Sequence, residues 1–584
     1  MLAKRVRLGL LTPTQVSHRH QKLGLFISLL FALVYGLMAT QQAFSTPYVI
    51  QEDARHYLFW MDRFANPKAF PNDLIADYLQ SIAPMGYKFF FQIASQLTTL
   101  EPQTIAKLLP VILGTITAGF FYQLTLTVFP LPLTGVIASV MLSQSMWCAQ
   151  DVSSGSPRGF VMPLLVPLLL CFMRQQWWLS LFCLGLLALI YPPVALVTGT
   201  LYVAHAIRFS SIGQARQFNQ IVDPDKLWLA GWAIFIVALG ILPSYFSSQG
   251  FGPTVTMAQA HTLPEFQPGG RHPFFRDNFL YYWLGWLSSH SGLFKRSMFT
   301  PITMLAALFI WPMYLNKRRF GLLQAIRPTW RLFIKLTIVS LFWFVMAYVI
   351  AFKLFMPVRY TGYSFLVMVP ILSAIAWTAI LDWSCGYFAQ RPRWQTLGLP
   401  LVLLTIGLPL FFYYPLLINN FPKPNNVVGT QAAIYEYLQA QPQETMVVSV
   451  DTEANNIPSF GKRSVLMAPE YGNAFHLGYY YPMKKSASAL LKAHYTNDPA
   501  LVRQFIEQYG VSLWLVHRQA FDPQYLRDQK YWTNNYQALT AEMLTQLQQG
   551  QTPMLQGAVD NCTRLETDQF WLLESSCILQ QAGR

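Results

Sequence analysis

The chain has 584 residues, of which 53% are hydrophobic and only 11% are charged. This composition excludes an ordinary soluble protein and indicates a polytopic membrane protein. The net charge of +15 does not predict nucleic-acid binding, because the basic residues cluster in loops that we place in the cytoplasm.

The first apolar segment, at residues 23–44, is preceded by a group of basic residues, Lys4, Arg5, Arg7, Arg19 and Lys22. Because Lys and Arg are enriched on the cytoplasmic side of membrane spans, this group predicts a cytoplasmic N-terminus. The apolar segments along the chain predict about eleven spans, at residues 23–44, 105–128, 132–148, 159–173, 177–191, 192–208, 227–246, 298–315, 332–352, 361–382 and 397–417. The predicted fold class is therefore a polytopic α-helical membrane protein.

One further apolar segment, Ile82–Leu97, decides the orientation of the loops that follow it. If it crossed the membrane, the Lys- and Arg-bearing loops after it would lie outside. We therefore predict that it lies at the membrane interface, which gives the extracytoplasmic segments 45–104, 148–158, 247–297 and 353–360. In the first of these, the spacing of Tyr57, Trp60, Met61 and Phe64 predicts an amphipathic helix at the interface. The third is predicted to be a mobile loop, long enough to cover a site.

Residues 421–584 have the pattern of an α/β domain. Strands are predicted at 446–450, 464–467, 513–516 and near 570–573, with helices near 430–440, 485–494 and 498–509. An odd number of spans after a cytoplasmic N-terminus places this tail outside the cytoplasm. In an oxidising compartment Cys562 and Cys577, the two cysteines of the tail, are predicted to form a disulfide.

Charged residues at the membrane boundary are costly and tend to be functional. Glu52 and Asp53 follow the first span, and Asp151 and Arg158 follow the third. Arg359 and Tyr360 form a pair at the start of a late span.

This order of motifs resembles the GT-C superfamily of membrane glycosyltransferases, which includes protein mannosyltransferases, aminoarabinose transferases and oligosaccharyltransferase catalytic subunits. The element Pro84, Gly86 and Tyr87 belongs to the same resemblance. The resemblance implies a GT-C-like transmembrane domain at residues 1–420 and an extracytoplasmic α/β domain at residues 421–584. It also implies transfer of a sugar from a polyprenyl-phosphate carrier to an extracytoplasmic glycan, lipid or protein.

Such a transfer needs a base for the acceptor hydroxyl and cations for the leaving phosphate. Asp53 is the predicted general base, and Glu52 is predicted to shape the site. The predicted phosphate-binding residues are Arg359, Arg158, Lys353 and Arg271, since arginine can contact phosphate oxygens in a bidentate manner. Further candidates for the site are Asp151, His272 and Tyr360.

The need for a divalent cation, Mg²⁺ or Mn²⁺, is left open. Asp53 and Asp151 would be its ligands, but the loop after the third span carries one acid rather than two. We expect the protein to reside in a bacterial inner (plasma) membrane, in contact with membrane lipid, and to bind no nucleic acid.

Several of these residues also have a purely structural interpretation. Glu52 and Asp53 could favour the positive end of the following helix and pair with Arg55 or His56. Arg359 and Lys353 could be interfacial anchors. Two other functions compete with sugar transfer: a transporter or flippase of a lipid-linked saccharide, and a non-catalytic membrane scaffold whose tail binds a partner. A transporter would require more charged groups deep within its spans.

Overall fold

The computed structural model describes residues 17–148, 152–207, 223–285, 290–390 and 398–582. Up to residue 417 the described chain is almost entirely helical. Its α-helices are α1 His18–Ala43, α2 Glu52–Leu58, α3 Leu74–Ile82, α4 Met85–Thr98, α5 Pro102–Val128, α6 Pro132–Cys148, α7 Val161–Met173, α8 Trp177–Ile190, α9 Pro192–Ala206, α10 Pro224–Ser248, α11 Met257–Thr262, α12 Phe279–Leu284, α13 Ile310–Leu315, α14 Arg331–Val349, α15 Val358–Ala389, α16 Gly398–Val402 and α17 Tyr414–Leu417.

Within the described residues, five helices are long and apolar enough to cross a membrane, namely α1, α5, α10, α14 and α15. Shorter apolar helices occupy other predicted spans, among them α7 and α8. The membrane character of the chain thus follows from its helices, whereas the count of eleven spans stays a prediction. Small residues allow the long helices to approach closely: a Cβ added at Gly36 of α1 would lie 3.0 Å from the Cα of Val111 of α5.

Helix α4 covers most of the segment that we predicted to lie at the membrane interface. Its exposed apolar side chains, Met85, Phe89, Ile93 and Leu97, recur every four residues and form one stripe. Tyr87 is fully buried on the opposite side. The one-sided apolar surface of α4 supports the interfacial prediction.

The segment from Glu52 to Phe64 differs from its prediction. Helix α2 ends at Leu58 and continues as a 3₁₀ helix over Phe59–Phe64. Trp60 and Met61 are fully buried within the protein. The prediction of an amphipathic helix lying on the membrane is therefore wrong, since the apolar residues of this segment pack into the protein core.

The tail contains a mixed five-stranded sheet within the described residues 398–582. Its elements continue the numbering after the short strand β1 Val49–Gln51: β2 Asn426–Val428, α18 Ala432–Gln439, β3 Met446–Val448, β4 Ser464–Val465, α19 Leu477–Tyr495, α20 Pro499–Tyr509, β5 Leu513–His517, α21 Pro523–Asp528, α22 Lys530–Asn535, α23 Gln537–Gln548, α24 Met554–Cys562, β6 Thr563–Glu566, β7 Phe570–Glu574 and α25 Ser575–Ala582. The strand order is β4-β3-β5-β7-β6, with β3 parallel to β4 and β5, and β7 antiparallel to β5 and β6.

Each strand predicted in the tail corresponds to a strand of this sheet, whereas β6 was not predicted. A disulfide joins Cys562 and Cys577, with their Cα atoms 5.4 Å apart. It connects the end of α24 to α25, across the hairpin formed by β6 and β7. The last strands of the tail are thus covalently closed onto the domain.

The tail is also joined to the first extracytoplasmic segment by a small antiparallel sheet. Strands β1 and β2 pair with Val49 opposite Val428 and Gln51 opposite Asn426. The backbone N–H of Glu52 extends this pairing by donating to the carbonyl of Asn425 at 3.1 Å. The start of α2 is thereby held against the start of the tail.

One buried histidine of the tail gives the fold a testable dependence on pH. His494 of α19 is fully buried among the rings of Tyr495, Trp514 and Phe521. Burial lowers its pKa from 6.5 to about 3. Below pH 6.5 the unfolded chain therefore binds a proton that the folded chain does not bind. The free energy of unfolding consequently decreases as the pH falls from 6.5 towards 3.

We expect His494→Leu to flatten this dependence. Between pH 6.5 and pH 4 the wild-type protein should lose about 1.4 kcal/mol per pH unit more than the variant. The measurement is the apparent melting temperature in nanodiscs at pH 4 to 7.5, with His18→Leu at an exposed position of α1 as the control. Equal pH profiles for wild type and His494→Leu would contradict the assignment.

Candidate active site

The N-terminus of α2 places two carboxylates at the edge of the helical domain. The side chain of Gln51 caps the helix, because its Oε1 accepts a hydrogen bond from the backbone N–H of Ala54 at 3.0 Å. Glu52 and Asp53 therefore occupy the first helical turn, where the helix dipole favours negative charge. Glu52 accepts a hydrogen bond from the side-chain amide of Asn425 in the tail.

Asp53 forms an ion pair with Arg158. Arg158 lies on the 3₁₀ turn Pro157–Phe160 that leads into α7. The two side chains are 21% and 22% exposed, respectively, so the pair is mostly buried at the edge of the helical domain. Asp53 and Arg158 were both predicted as site residues from the sequence. They are separated by about one hundred positions in the chain and are in contact in the fold.

A second guanidinium lies beside this pair. Arg359 is at the start of α15 and lies over the ring of Phe355, 5.7 Å from its centroid. Burial and the neighbouring charge of Arg359 lower the pKa of Arg158. Arginine nevertheless stays charged, so the two side chains create a local positive field next to Asp53.

A third guanidinium reaches the same region from the 247–297 segment. The Nε of Arg271 donates a hydrogen bond to the carbonyl of Glu470 at 3.2 Å. Burial raises the pKa of Tyr57 on α2, while Arg359 and Arg271 both act to lower it. Arg271 and Arg359 therefore both lie near Tyr57 on α2.

Three histidines lie among these arginines and remain neutral. Burial, above all, lowers the pKa of His56 and of His290 to about 4, and that of His272 well below 6.5. The charge of Arg359 contributes to the shifts of His272 and His290. At neutral pH the region therefore offers guanidinium charges and uncharged imidazole hydrogen-bonding groups.

The segment that carries Arg271 and His272 is held in place by the tail. The side chain of Tyr480 donates a hydrogen bond to the buried carboxylate of Glu265 at 2.7 Å. The backbone N–H of Val255 donates to the carbonyl of Phe475, and the N–H of Leu477 donates to Pro253. We predicted a mobile loop here. Over the described residues 253–285, its contacts are instead those of a segment packed against the tail.

The remaining predicted residues are not brought to the arginine cluster. The Lys353 side chain is exposed and makes no hydrogen bond or ion pair within the described ranges. Tyr360 is buried, donates its hydroxyl to the carbonyl of Leu354 at 2.7 Å and stacks on Trp343. These contacts indicate a packing role for Tyr360.

The structure gives no support to a divalent-cation site in its described part. Asp151, one of the two predicted ligands, lies outside the described residues. Elsewhere in the described chain, no group of three His, Cys, Asp or Glu side chains could hold a metal ion. Asp53, the other predicted ligand, is engaged by Arg158. A divalent cation therefore stays a prediction for this chain.

Sequence reasoning missed the network that connects α2 to the tail. Arg55 is 5% exposed and pairs with Glu470 at 2.5 Å, while its Nη1 donates to Asn456 at 2.5 Å. We had considered a local pair between Arg55 and Glu52 or Asp53, and this interpretation is wrong. Asn456 and Glu470 of the tail thus bind α2, and no local pattern in the sequence predicts this contact.

The Arg55 pair gives a stability prediction with an internal control. Removing one partner of a buried ion pair leaves an uncompensated buried charge and costs about 3–5 kcal/mol. Glu470→Ala should therefore lower the melting temperature markedly. Glu566→Ala removes an exposed partner of Arg518, 57% accessible, and should cost only about 0–1 kcal/mol. Equal melting temperatures for the two variants would show that Arg55 is not held by this pair.

Comparison with known proteins gives matches at the level of structure. No protein-family model and no curated protein sequence matches this chain. The archaeal oligosaccharyltransferase AglB from Archaeoglobus fulgidus, solved with an inhibitory peptide and a dolichol-phosphate, is 12% identical with a TM-score of 0.52, over 89% of this chain and 71% of that chain. The apo form of the Archaeoglobus fulgidus oligosaccharyltransferase is 13% identical with a TM-score of 0.51, over 88% and 72%. ArnT from Cupriavidus metallidurans in the apo state gives a TM-score of 0.44 at 12% identity, over 84% and 93%.

These matches define the fold of the chain. The resemblance drawn from the order of its motifs is confirmed at the level of the fold, by the two oligosaccharyltransferase structures. The chain has the fold of the oligosaccharyltransferase AglB.

Proposed function

We propose that the protein is a glycosyltransferase that moves a sugar from a polyprenyl-phosphate carrier to an extracytoplasmic acceptor. The observation that carries this proposal is the meeting of Asp53 with Arg158, beside Arg359. A carboxylate among guanidinium groups can receive a proton while the cations stabilise a leaving phosphate. The shared fold adds support, since the AglB structure contains a dolichol-phosphate.

In the proposed reaction Asp53 takes the proton of the acceptor hydroxyl as its oxygen attacks the anomeric carbon. The bond between that carbon and the phosphate oxygen breaks, and the polyprenyl phosphate departs with the electron pair. Attack opposite the phosphate inverts the configuration at the anomeric carbon. Arg158, Arg359 and Arg271 hold the phosphate, and Glu52 shapes the site through its contact with Asn425.

The ion pair suggests how donor binding prepares the base. In the free protein, Arg158 engages the carboxylate of Asp53. A donor phosphate is a competing anion for the same guanidinium. When it binds Arg158, the carboxylate loses its partner and becomes available to the acceptor hydroxyl. We propose that donor binding thereby precedes proton transfer.

We propose further that the N-terminus is cytoplasmic and that the tail lies outside, in a bacterial plasma membrane. The support is the segregation of Lys and Arg along the sequence. A lipid-linked donor also requires a site at the membrane boundary, where α2 adjoins the long apolar helices.

The catalytic assignment is tested by Asp53→Asn, which keeps the shape and removes the basic oxygen. We expect normal insertion and a transfer rate reduced on the order of 10²–10⁴, measured with a radiolabelled polyprenyl-phosphate sugar. Arg359→Ala should mainly raise the KM for the donor, since a phosphate contact is lost while the base remains. Asp77→Asn, at a half-exposed ion pair with Arg63, is the control and should retain full activity.

A well-folded, fully active Asp53→Asn protein would refute the role of Asp53. The absence of any transfer by the wild-type protein would favour the two competing functions. Movement of a lipid-linked saccharide across the bilayer without transfer would identify a transporter or flippase. If neither reaction occurred, the scaffold interpretation would remain.

The orientation is tested by reporters fused after Arg584. A reporter that requires export should be active, whereas one that folds only in the cytoplasm should give no signal. Both reporters are placed after Cys148 as well, where three predicted spans precede the fusion and the same extracytoplasmic result is expected. The reverse pattern at Arg584 would show that an odd number of spans has been miscounted.

A further inference from the structure

A cavity lies away from the arginine cluster, between the helical domain and the tail. Its volume is about 530 Å³, within the range of ligand-binding cavities. It is bordered by the 3₁₀ helix Phe59–Phe64, by α4, by the start of α5 and by two residues of the tail, Gln443 and Lys462.

This cavity is separate from Asp53. Asp62 on its wall follows Asp53 by nine positions along α2 and the 3₁₀ helix. With a rise of about 1.5–2.0 Å per residue, the two carboxylates are roughly 15 Å apart along this axis. The fully buried Trp60 lies between them in the chain.

Uncharged hydrogen-bonding side chains dominate one wall of the cavity. Gln92, Ser95 and Gln96 on one face of α4, and Thr99 just after the helix, line it. The amides of Gln92 and Gln96, and that of Gln443 from the tail, make no side-chain hydrogen bond within the described ranges. The hydroxyl of Ser95 is buried and has no hydrogen-bond partner among those residues.

The charges of the cavity are arranged so that they do not favour an anion. Lys462 bridges two carboxylates, Asp62 at 2.9 Å and Glu101 at 3.3 Å. The one cation among the lining residues is thus neutralised, with one negative charge in excess. A phosphate or an acidic lipid headgroup would be disfavoured here.

Most of the remaining lining is apolar, with Asn66 as a polar exception. Met61, Phe64 and Leu100 contribute apolar surface beside the amides. Sugars present both hydroxyl groups and apolar C–H faces, so they suit a site that combines amide donors and acceptors with aromatic and aliphatic side chains. From this composition and from the charge balance, we infer that the cavity is a binding site for a neutral saccharide.

The site borders the apolar stripe of α4. Gln92 and Gln96 lie about 80° and about 40° around the helix from the midpoint of that stripe. A saccharide in the cavity could therefore belong to a free chain or to the headgroup of a glycolipid whose tail follows the stripe. Both sources present the same saccharide chemistry to the cavity, and a comparison of a glycolipid with a free saccharide distinguishes them.

The test measures binding of maltotetraose, cellotetraose and mannotetraose to the full chain in nanodiscs, by saturation-transfer NMR and calorimetry. We expect at least one tetrasaccharide to bind. Gln96→Trp, which fills the cavity from an exposed position, should weaken it at least about tenfold. Gln443→Ala, which removes one amide from the tail side, should also weaken it. Thr98→Trp is the matched control on the same helix, since Thr98 is exposed and does not line the cavity.

The inference fails if none of the tetrasaccharides binds. It also fails if Gln96→Trp and Gln443→Ala bind as tightly as the wild type, or if Thr98→Trp weakens binding equally. Tighter binding of dodecyl maltoside than of free maltotetraose, lost in Gln96→Trp, would identify a glycolipid as the source; equal affinities would identify a free chain. Because binding is measured without transfer, Asp53→Asn should leave it unchanged whether or not the proposed reaction is correct.

Discussion

The burial of Arg55 is the constraint on which the arrangement of the site depends. A guanidinium with 5% exposure must be neutralised, because an unpaired buried charge would be strongly destabilising. Its charge partner Glu470 and its hydrogen-bond acceptor Asn456 both come from the tail. Since Asp53 lies on the same helix two residues earlier, the tail also fixes the position of the candidate base. The tail is in this sense part of the site.

The rest of the site is built around that fixed helix by segments distant in sequence. Arg158 comes from the turn after α6, Arg359 from the start of α15, and Arg271 from a segment packed against the tail. The histidines between them are neutral, so the positive field comes from guanidinium groups alone. A site with several guanidinium groups beside a carboxylate favours an anionic ligand. The charge of these guanidinium groups does not vary over the physiological pH range.

The sequence was informative wherever the signal is local. Apolar segments predicted the membrane helices, and the pattern of residues 421–584 predicted four strands of the tail. The predictions failed where partners are far apart in the chain. Arg55 looked like a local partner for Glu52, because nothing near it in the sequence indicates its partners in the tail. Trp60 looked like a membrane-facing residue, although it is fully buried in the protein core. Lys353 has the right charge, but the turn that carries it leaves its side chain exposed, which composition cannot reveal.

The distance along the chain between Arg55 and Asn456, 401 positions, has a consequence during synthesis. At about 5–20 residues per second, the ribosome needs roughly 20–80 s to deliver the partner after Arg55 has emerged. During that interval the guanidinium must remain hydrated, and α2 cannot take its final place. A nascent chain cut short before the tail would hold the membrane helices and all three candidate arginines, yet lack the contacts that set them around Asp53.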